Sequence, residues 1–259
     1  MGVFDLFRLD GKTAIVTGGG RGLGAQIAEA FAEAGANVVI CSRRLEQCQE
    51  KSEELKKNFG IDSIALACDV SKHDDVKKVV DETVKQFGTV DILVNNSGAT
   101  WGAPVLDMPF EAWQKVINVN ITGTYLMSRE AGTIMINQGS GKIINIASIA
   151  GFGGTNPEVM NTIGYNTSKG AVITFTKDLA VKWGQYNIHV NGIAPGFFPS
   201  KMSNALIEKG GDKILANTPL KRFGSNEDLK GAALFLASRA SDFVTGEIIK
   251  VDGGSSAYA

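Results

Sequence analysis

Two histidines and three cysteines are all that this 259-residue chain offers of the residue types that most often bind metals or form disulfides. Cys41, Cys48 and Cys68 show none of the paired spacings of a zinc site. His73 and His189 lie far apart and belong to no ligand motif. No metal centre is expected, and the cysteines read as small buried hydrophobes. His73 reads as a solvated helix start and His189 as a strand residue. Positive charge is not in surplus either: 26 Lys and Arg face 27 Asp and Glu, for a net charge of −1. That excludes the electrostatic footprint of a nucleic-acid binder. No apolar run approaches the ~18 residues of a membrane span. Met1 to Arg8 (MGVFDLFR) lacks the long apolar core and cleavage site of a secretory signal. No repeat, low-complexity tract or linker divides the chain. These absences lead us to expect a reduced, cytoplasmic protein that meets neither nucleic acid nor membrane.

What is present is regular. With 44% hydrophobic residues the chain can bury one large core. Apolar, β-branched runs alternate with segments of helical spacing. Strands are expected near 13–17, 37–41, 63–68, 91–95, 141–147, 188–193 and 246–251. Helices are expected near 22–34, 44–58, 72–87, 109–137, 163–184, 200–217 and 225–238. Ser71 with Asp74, and Ser225 with Asp228, read as N-cap pairs. Strand-helix alternation implies a parallel sheet covered on both faces. The expected fold is a single α/β domain over 1–259: a doubly wound, seven-stranded parallel sheet of Rossmann type. In such sheets ligands bind at the carboxyl ends of the strands. Ser42, Asp69, Asn95, Ser148 and Pro195 all fall at such ends.

The first strand, Lys12 to Thr17 (KTAIVT), runs into Gly18-Gly19-Gly20-Arg21-Gly22-Leu23-Gly24 and then a helical segment. Strand, glycine turn and helix are the context in which such glycines cradle a pyrophosphate. The helix N-terminus presents unpaired N–H groups and a partial positive charge to it. At the end of the second strand an NAD-selective site places an acid for the ribose hydroxyls. Here that strand runs into Ser42-Arg43-Arg44, and no carboxylate occurs before Glu46. Arg43 offers a planar fork suited to a 2′-phosphate, and Arg21 can flank the same group. NADP(H) is therefore expected in preference to NAD(H).

Tyr165 and Lys169 are four residues apart in a helical stretch, and Ser148 precedes them. Positions four apart share a helix face, so phenol and ammonium can reach one cleft together. A free phenol has a pKa near ~10 and moves protons poorly at neutral pH. A nearby cation favours the phenolate. Bringing the pKa to about 7 takes ~3 units, or ~4 kcal/mol, which the ammonium and a second positive group could supply.

Seven signatures occur in one order: Thr17-Gly18-x-x-x-Gly22-x-Gly24, Asn95-Asn96-Ser97-Gly98, Asn120, Ser148, Tyr165 with Lys169, Pro195-Gly196 and Val251-Asp252-Gly253-Gly254. Together they resemble the short-chain dehydrogenase/reductase family along the whole chain. The resemblance implies hydride transfer between nicotinamide and a carbonyl or secondary alcohol. It makes Tyr165 the proton donor and acceptor. Lys169 lowers the phenol pKa and holds the nicotinamide ribose. Ser148 bonds the substrate oxygen, and Asn120 positions a water linking Lys169 to solvent. It places Thr17, Gly18, Gly22, Leu23, Gly24, Gly98, Pro195 and Gly196 around the cofactor. Asp69 and Val70 would contact adenine, and Asn95 the adjacent ribose. Phe198 would offer backbone to the carboxamide, with Ser200 where the family usually has threonine. A homotetramer pairing through 109–137 and 163–184 is implied as well.

One departure stands out. Sixteen residues separate Ser148 from Tyr165, where the family commonly has about a dozen. Substrate loops are expected at 148–165 and 196–218, with Trp101, Phe152, Met160 and Met202 as candidate apolar walls. The segments 195–202 and 227–231 look like those of gluconate 5-dehydrogenases and equally of 3-oxoacyl-thioester reductases. A dinucleotide-binding sensor without catalysis, or a nucleotide-dependent transferase on a similar sheet, stays open as another class.

Overall fold

The computed structural model describes residues 2–201 and 203–257. Its seven strands are β1 (Thr13–Thr17), β2 (Asn37–Ser42), β3 (Ser63–Ala67), β4 (Ile92–Asn95), β5 (Gly141–Ile146), β6 (Ile188–Pro195) and β7 (Ile248–Val251). They form one parallel sheet in the order β3-β2-β1-β4-β5-β6-β7. The helices are α1 (Gly22–Glu33), α2 (Leu45–Phe59), α3 (His73–Phe87), α4 (Phe110–Ile117), α5 (Gly123–Gln138), α6 (Ile163–Trp183), α7 (Asn204–Ala216) and α8 (Lys230–Ala237). The expected doubly wound sheet is the fold observed.

Alternation along the strands builds two cores. Ala14 and Val16 of β1 face Ile27 and Phe31 of α1 and Leu236 of α8. Ile15, between them, faces Val76 and Val79 of α3 and Met127 of α5. Burial on both faces is why these strands read as continuous apolar runs. The strand order reverses at β1, whose neighbours are β2 and β4. The crevice at the carboxyl ends of β1 and β4 is where such a sheet admits a ligand.

Several boundaries differ from the expected ones. The helix expected over 109–137 is two helices joined by a π-turn at Asn118–Thr122, and buried Asn120 sits inside that turn. Helical periodicity hides such an insertion, because the chain never leaves helical dihedrals. The helix expected from 225 begins at Lys230. The Asp228 carboxylate does accept from Ser225 N (2.7 Å) and Ser225 Oγ (2.8 Å), but it closes a turn ahead of the helix. The helix expected from 200 begins at Asn204 and kinks at Gly210. Ser71 does not cap α3 as expected. Its N–H and hydroxyl both go to Asp69 Oδ1, and Asp75 takes Asp69 N instead. His73 does open α3, but its Nε2 lies 3.0 Å from Glu130 Oε1 of α5.

Candidate active site

A cleft of about 1210 Å³ opens along the carboxyl ends of the strands. Single-ligand pockets usually hold ~300–1,000 Å³, so this one has room for more than one small molecule. Gly18, Arg21, Gly22, Leu23, Ser42, Arg43, Arg44, Asp69 and Val70 line one end. Ser148, Tyr165, Lys169, Pro195, Gly196, Phe198 and Ser200 line the other, and Gly98 lies between.

The first end is built by a tight turn. Gly18 and Gly22 have φ of +66° and +55°, backbone that a side chain disfavours. Arg21 caps α1 without a side-chain hydrogen bond, so the first-turn N–H groups have no partner from the cap. Such an end receives a pyrophosphate. Arg21, Arg43 and Arg44 stand exposed around it. Ser42 Oγ accepts from Arg44 N at 3.1 Å and lies 3.1 Å from Cys48 Sγ, which fixes the turn into α2. Burial pushes the Asp69 carboxyl up. Bonds from the Ser71 hydroxyl and N–H, with Arg43 nearby, outweigh that and hold it below the usual range.

Three residues expected at the cofactor lie outside the cleft lining. Thr17 is buried and its Oγ1 stitches β1 to β4, donating to Val94 O and accepting from Asn96 N and Ser97 N. Gly24 packs α1 against the β1 end. A Cβ there would lie 2.5 Å from Gly18 O. Asn95 points into the sheet, donating to Ser128 Oγ (3.0 Å) and Asn145 Oδ1 (2.8 Å). Asn96, the next residue, lines the cleft and donates to Thr17 O. Side chains alternate along a strand, so an offset of one residue exchanges a buried face for an open one.

At the other end, Ser148 Oγ accepts from Ala150 N at 3.2 Å and stands close enough to the Tyr165 phenol to favour its ionised form. Lys169 is buried, its Nζ donating to Ile146 O at 2.6 Å and lying 5.6 Å from the Tyr165 ring centre. Burial pushes the Tyr165 phenol up, and the nearby Ser148 hydroxyl only partly offsets it. Burial also pulls the Lys169 ammonium down to about 8. The depressed phenol pKa expected from the Tyr-Lys pair is therefore absent in the protein alone. The same dry wall that brings the cation close weakens its hold on its own proton.

Two residues that the sequence did not flag hold this geometry. Gly151 follows Ser148 in a short 3₁₀ turn, Ile149–Gly151, that lies directly on α6. A Cβ on Gly151 would fall 2.6 Å from the Lys169 carbonyl carbon. Ser168 donates to the Tyr165 carbonyl at 2.7 Å. It in turn accepts from Asn120 Nδ2 at 2.8 Å. Asn120 also takes Ala99 N (2.7 Å) and gives to Ala99 O (2.9 Å). Its amide thus clamps the loop after β4 to the start of α6.

Among the expected apolar walls, Phe152 and Met160 line the cleft. Trp101 does not, and Met202 lies outside the described residues. The Phe198 carbonyl accepts from Ser203 Oγ, and Ser200 Oγ lies 2.9 Å from the same hydroxyl. Ser255 and Ser256 add a wall from the C-terminal turn that no motif announced. Among the described residues no cluster of His, Cys, Asp and Glu could hold a metal ion, and no helix is long and apolar enough to cross a membrane.

Known proteins share this sequence pattern and this fold. The family model described as enoyl-(acyl carrier protein) reductase matches residues 18–256. A 3-oxoacyl-acyl-carrier-protein reductase, FabG, of Aquifex aeolicus is 36% identical over 95% of this chain and 98% of its own. A 2-dehydro-3-deoxy-D-gluconate 5-dehydrogenase of Bacillus subtilis is 39% identical over 96% of each chain. The crystal structure of a gluconate 5-dehydrogenase from Burkholderia cenocepacia, in complex with NADP and tartrate, superposes with a TM-score of 0.93. It is 37% identical and covers 100% of both chains.

Proposed function

The chain belongs to the short-chain dehydrogenase/reductase family, and from that premise we propose an NADP(H)-dependent reductase of a ketone or dehydrogenase of the matching secondary alcohol. One observation carries the reading: Ser148, Tyr165 and Lys169 share one wall of a cleft whose far end is an uncapped helix terminus ringed by three arginines. The glycine turn and that terminus fit a dinucleotide, which would rest on Gly18, Arg21, Gly22 and Leu23. Arg43 and Arg44, with no carboxylate in the Ser42–Arg44 turn, suit a 2′-phosphate. The NADP-bound Burkholderia relative supports that preference.

A bound nicotinamide supplies the hydride. The chain supplies the proton and the charge stabilisation. Tyr165 donates its phenol proton to the carbonyl oxygen in reduction and, as the phenolate, accepts it in oxidation. Ser148 bonds the same oxygen and stabilises its developing charge. Lys169 stands behind the phenol as a titratable cation and proton reservoir. Asn120 and Ser168 fix the entry of α6 so that these groups face the substrate. The segments 148–165 and 196–218 form the substrate loops. We further propose a homotetramer in the cytoplasm, paired through α5 and α6, where Tyr125 and Val181 stand exposed.

The test is Tyr165→Phe, assayed with NADPH and NADH against 5-ketogluconate, a 3-oxoacyl thioester and a bulky cyclic ketone. A fall in turnover of ~10²–10⁴ with NADPH affinity retained is expected. Undiminished turnover overturns the mechanism. NADPH binding with no turnover of any ketone by the unsubstituted protein would favour a sensor.

A further inference from the structure

The long loop between Ser148 and Tyr165 is gathered on one side chain of α6. That side chain is Asn166, the residue after Tyr165. Its Oδ1 accepts from Thr162 Oγ1 at 2.9 Å. Its Nδ2 donates to Thr155 Oγ1 at 3.2 Å. The Thr155 hydroxyl donates onward to the Met160 carbonyl at 3.0 Å. One amide therefore ties the outgoing arm of the loop, at Thr155, to its returning arm, at Met160 and Thr162. An amide suits the place because it accepts on one side and donates on the other.

Asn166 does not line the cleft, whereas Thr155 and Met160 do. Met160 is buried, and Thr155 stands at the exposed rim. Little else holds the outgoing arm. A Cβ on Gly153 or Gly154 would meet nothing within 4 Å, so packing does not fix it. The Asn156 side chain accepts from Glu158 N at 2.9 Å, which ties the loop only to itself. Glu158 meets Lys213 at the surface, where an ion pair fixes little. Asn161 O accepts from Ala103 N at 2.9 Å, but that contact lies on the returning arm.

We propose that Asn166 is a positioning residue for the substrate. It holds Thr155 and Met160 as a wall beside Ser148 and Tyr165, and ketones with an apolar group long enough to reach Met160 are the class whose binding depends on it. The inference rests on the reductase reading. Such a ketone gains from a wall already in place, because ordering a loose loop on binding costs affinity. A small ketone such as butanone needs only the groups at its oxygen. Asn166 is thus tied to the size of the substrate, while Tyr165 beside it is tied to the proton.

The experiment compares butanone with 4-phenylcyclohexanone in NADPH-dependent turnover by the full chain. Asn166→Ala should raise KM for the large ketone about tenfold and leave its kcat, and kcat/KM for butanone, within about twofold. Thr155→Val keeps the shape and loses the hydroxyl, so it should reproduce that split. Thr155→Ser keeps the hydroxyl and should match the unsubstituted protein. The double variant Asn166→Ala with Thr155→Val should be no worse than either alone, since both break one contact. Hydrogen exchange read by mass spectrometry should quicken about fivefold over 153–162 in Asn166→Ala and stay unchanged in the strands. An equal loss for both ketones would mean a merely structural role and overturn the inference, as would an unmoved KM for the large one. Turnover of polar ketones such as 5-ketogluconate alone would also overturn it and keep the reductase reading. No turnover of any ketone by the unsubstituted protein rejects both.

Discussion

The two ends of the cleft are made differently. The arginine end comes from contiguous chain: β1, its glycine turn and the first turn of α1, joined by the short Ser42–Arg44 turn after β2. The substrate end is assembled from the 3₁₀ turn after β5, the first turns of α6, the segment after β6 and the C-terminal turn. Those pieces come from three separate stretches of the chain, near 148–169, 195–206 and 255–256. The first end is local chemistry held by local geometry. The second depends on packing between distant elements, so a small displacement there should cost far more.

Gly151→Ala is the strongest test of that contrast. The added methyl would meet the Lys169–Gly170 backbone at 2.6–2.8 Å, and backbone cannot swing aside. Turnover should fall by about 10–100-fold with NADPH affinity little changed, since displacements of ~1 Å at a reacting centre cost this much. Wild-type turnover would show that the turn and α6 are not rigidly coupled. Arg43→Ala probes the local end. Loss of one charge-assisted phosphate contact should weaken NADPH binding by about tenfold and leave NADH binding unchanged, as read by fluorescence titration.

Lys169 gives a pH test of the buried wall. Its folded pKa of about 8 lies below the ordinary 10.5, so between those values the unfolded chain holds a proton that the folded chain does not. Stability should therefore rise with pH across that window and carry the full penalty, up to about 3 kcal/mol, below pH 8. Urea melts from pH 7.5 to 10.5 should show this slope, and Lys169→Met should abolish it. Glu158→Gln should have the least effect. Its pair with Lys213 is exposed on both sides, so the midpoint of a urea melt should not move measurably and turnover should change by less than about twofold.

How much of the site was legible follows the same division. The glycine turn, the arginines and the Ser-Tyr-Lys spacing could be read directly, because each depends on neighbours a few residues away. Asn95 was assigned to the cofactor and proved to face the sheet, while Asn96 lines the cleft. Strand composition does not reveal on which residue the strand ends. Asn120 was singled out by the resemblance, and its amide bonds Ala99 and Ser168. The π-turn that holds it leaves no mark in hydrophobic periodicity. Gly151 and Ser168 were missed because their importance lies in what they touch.

The sequence by itself determined the alternating elements, the sheet they form and the residue types that reach its carboxyl edge. Periodicity and turn chemistry are local properties, and a chain cannot bury these apolar runs in many other ways. The tertiary structure alone decided how deeply Lys169 is buried beside Tyr165, the clamp on α6 and the close contact of the turn after β5 with α6. Desolvation and charge depend on everything within a few ångströms, and in this fold those neighbours come from distant parts of the chain.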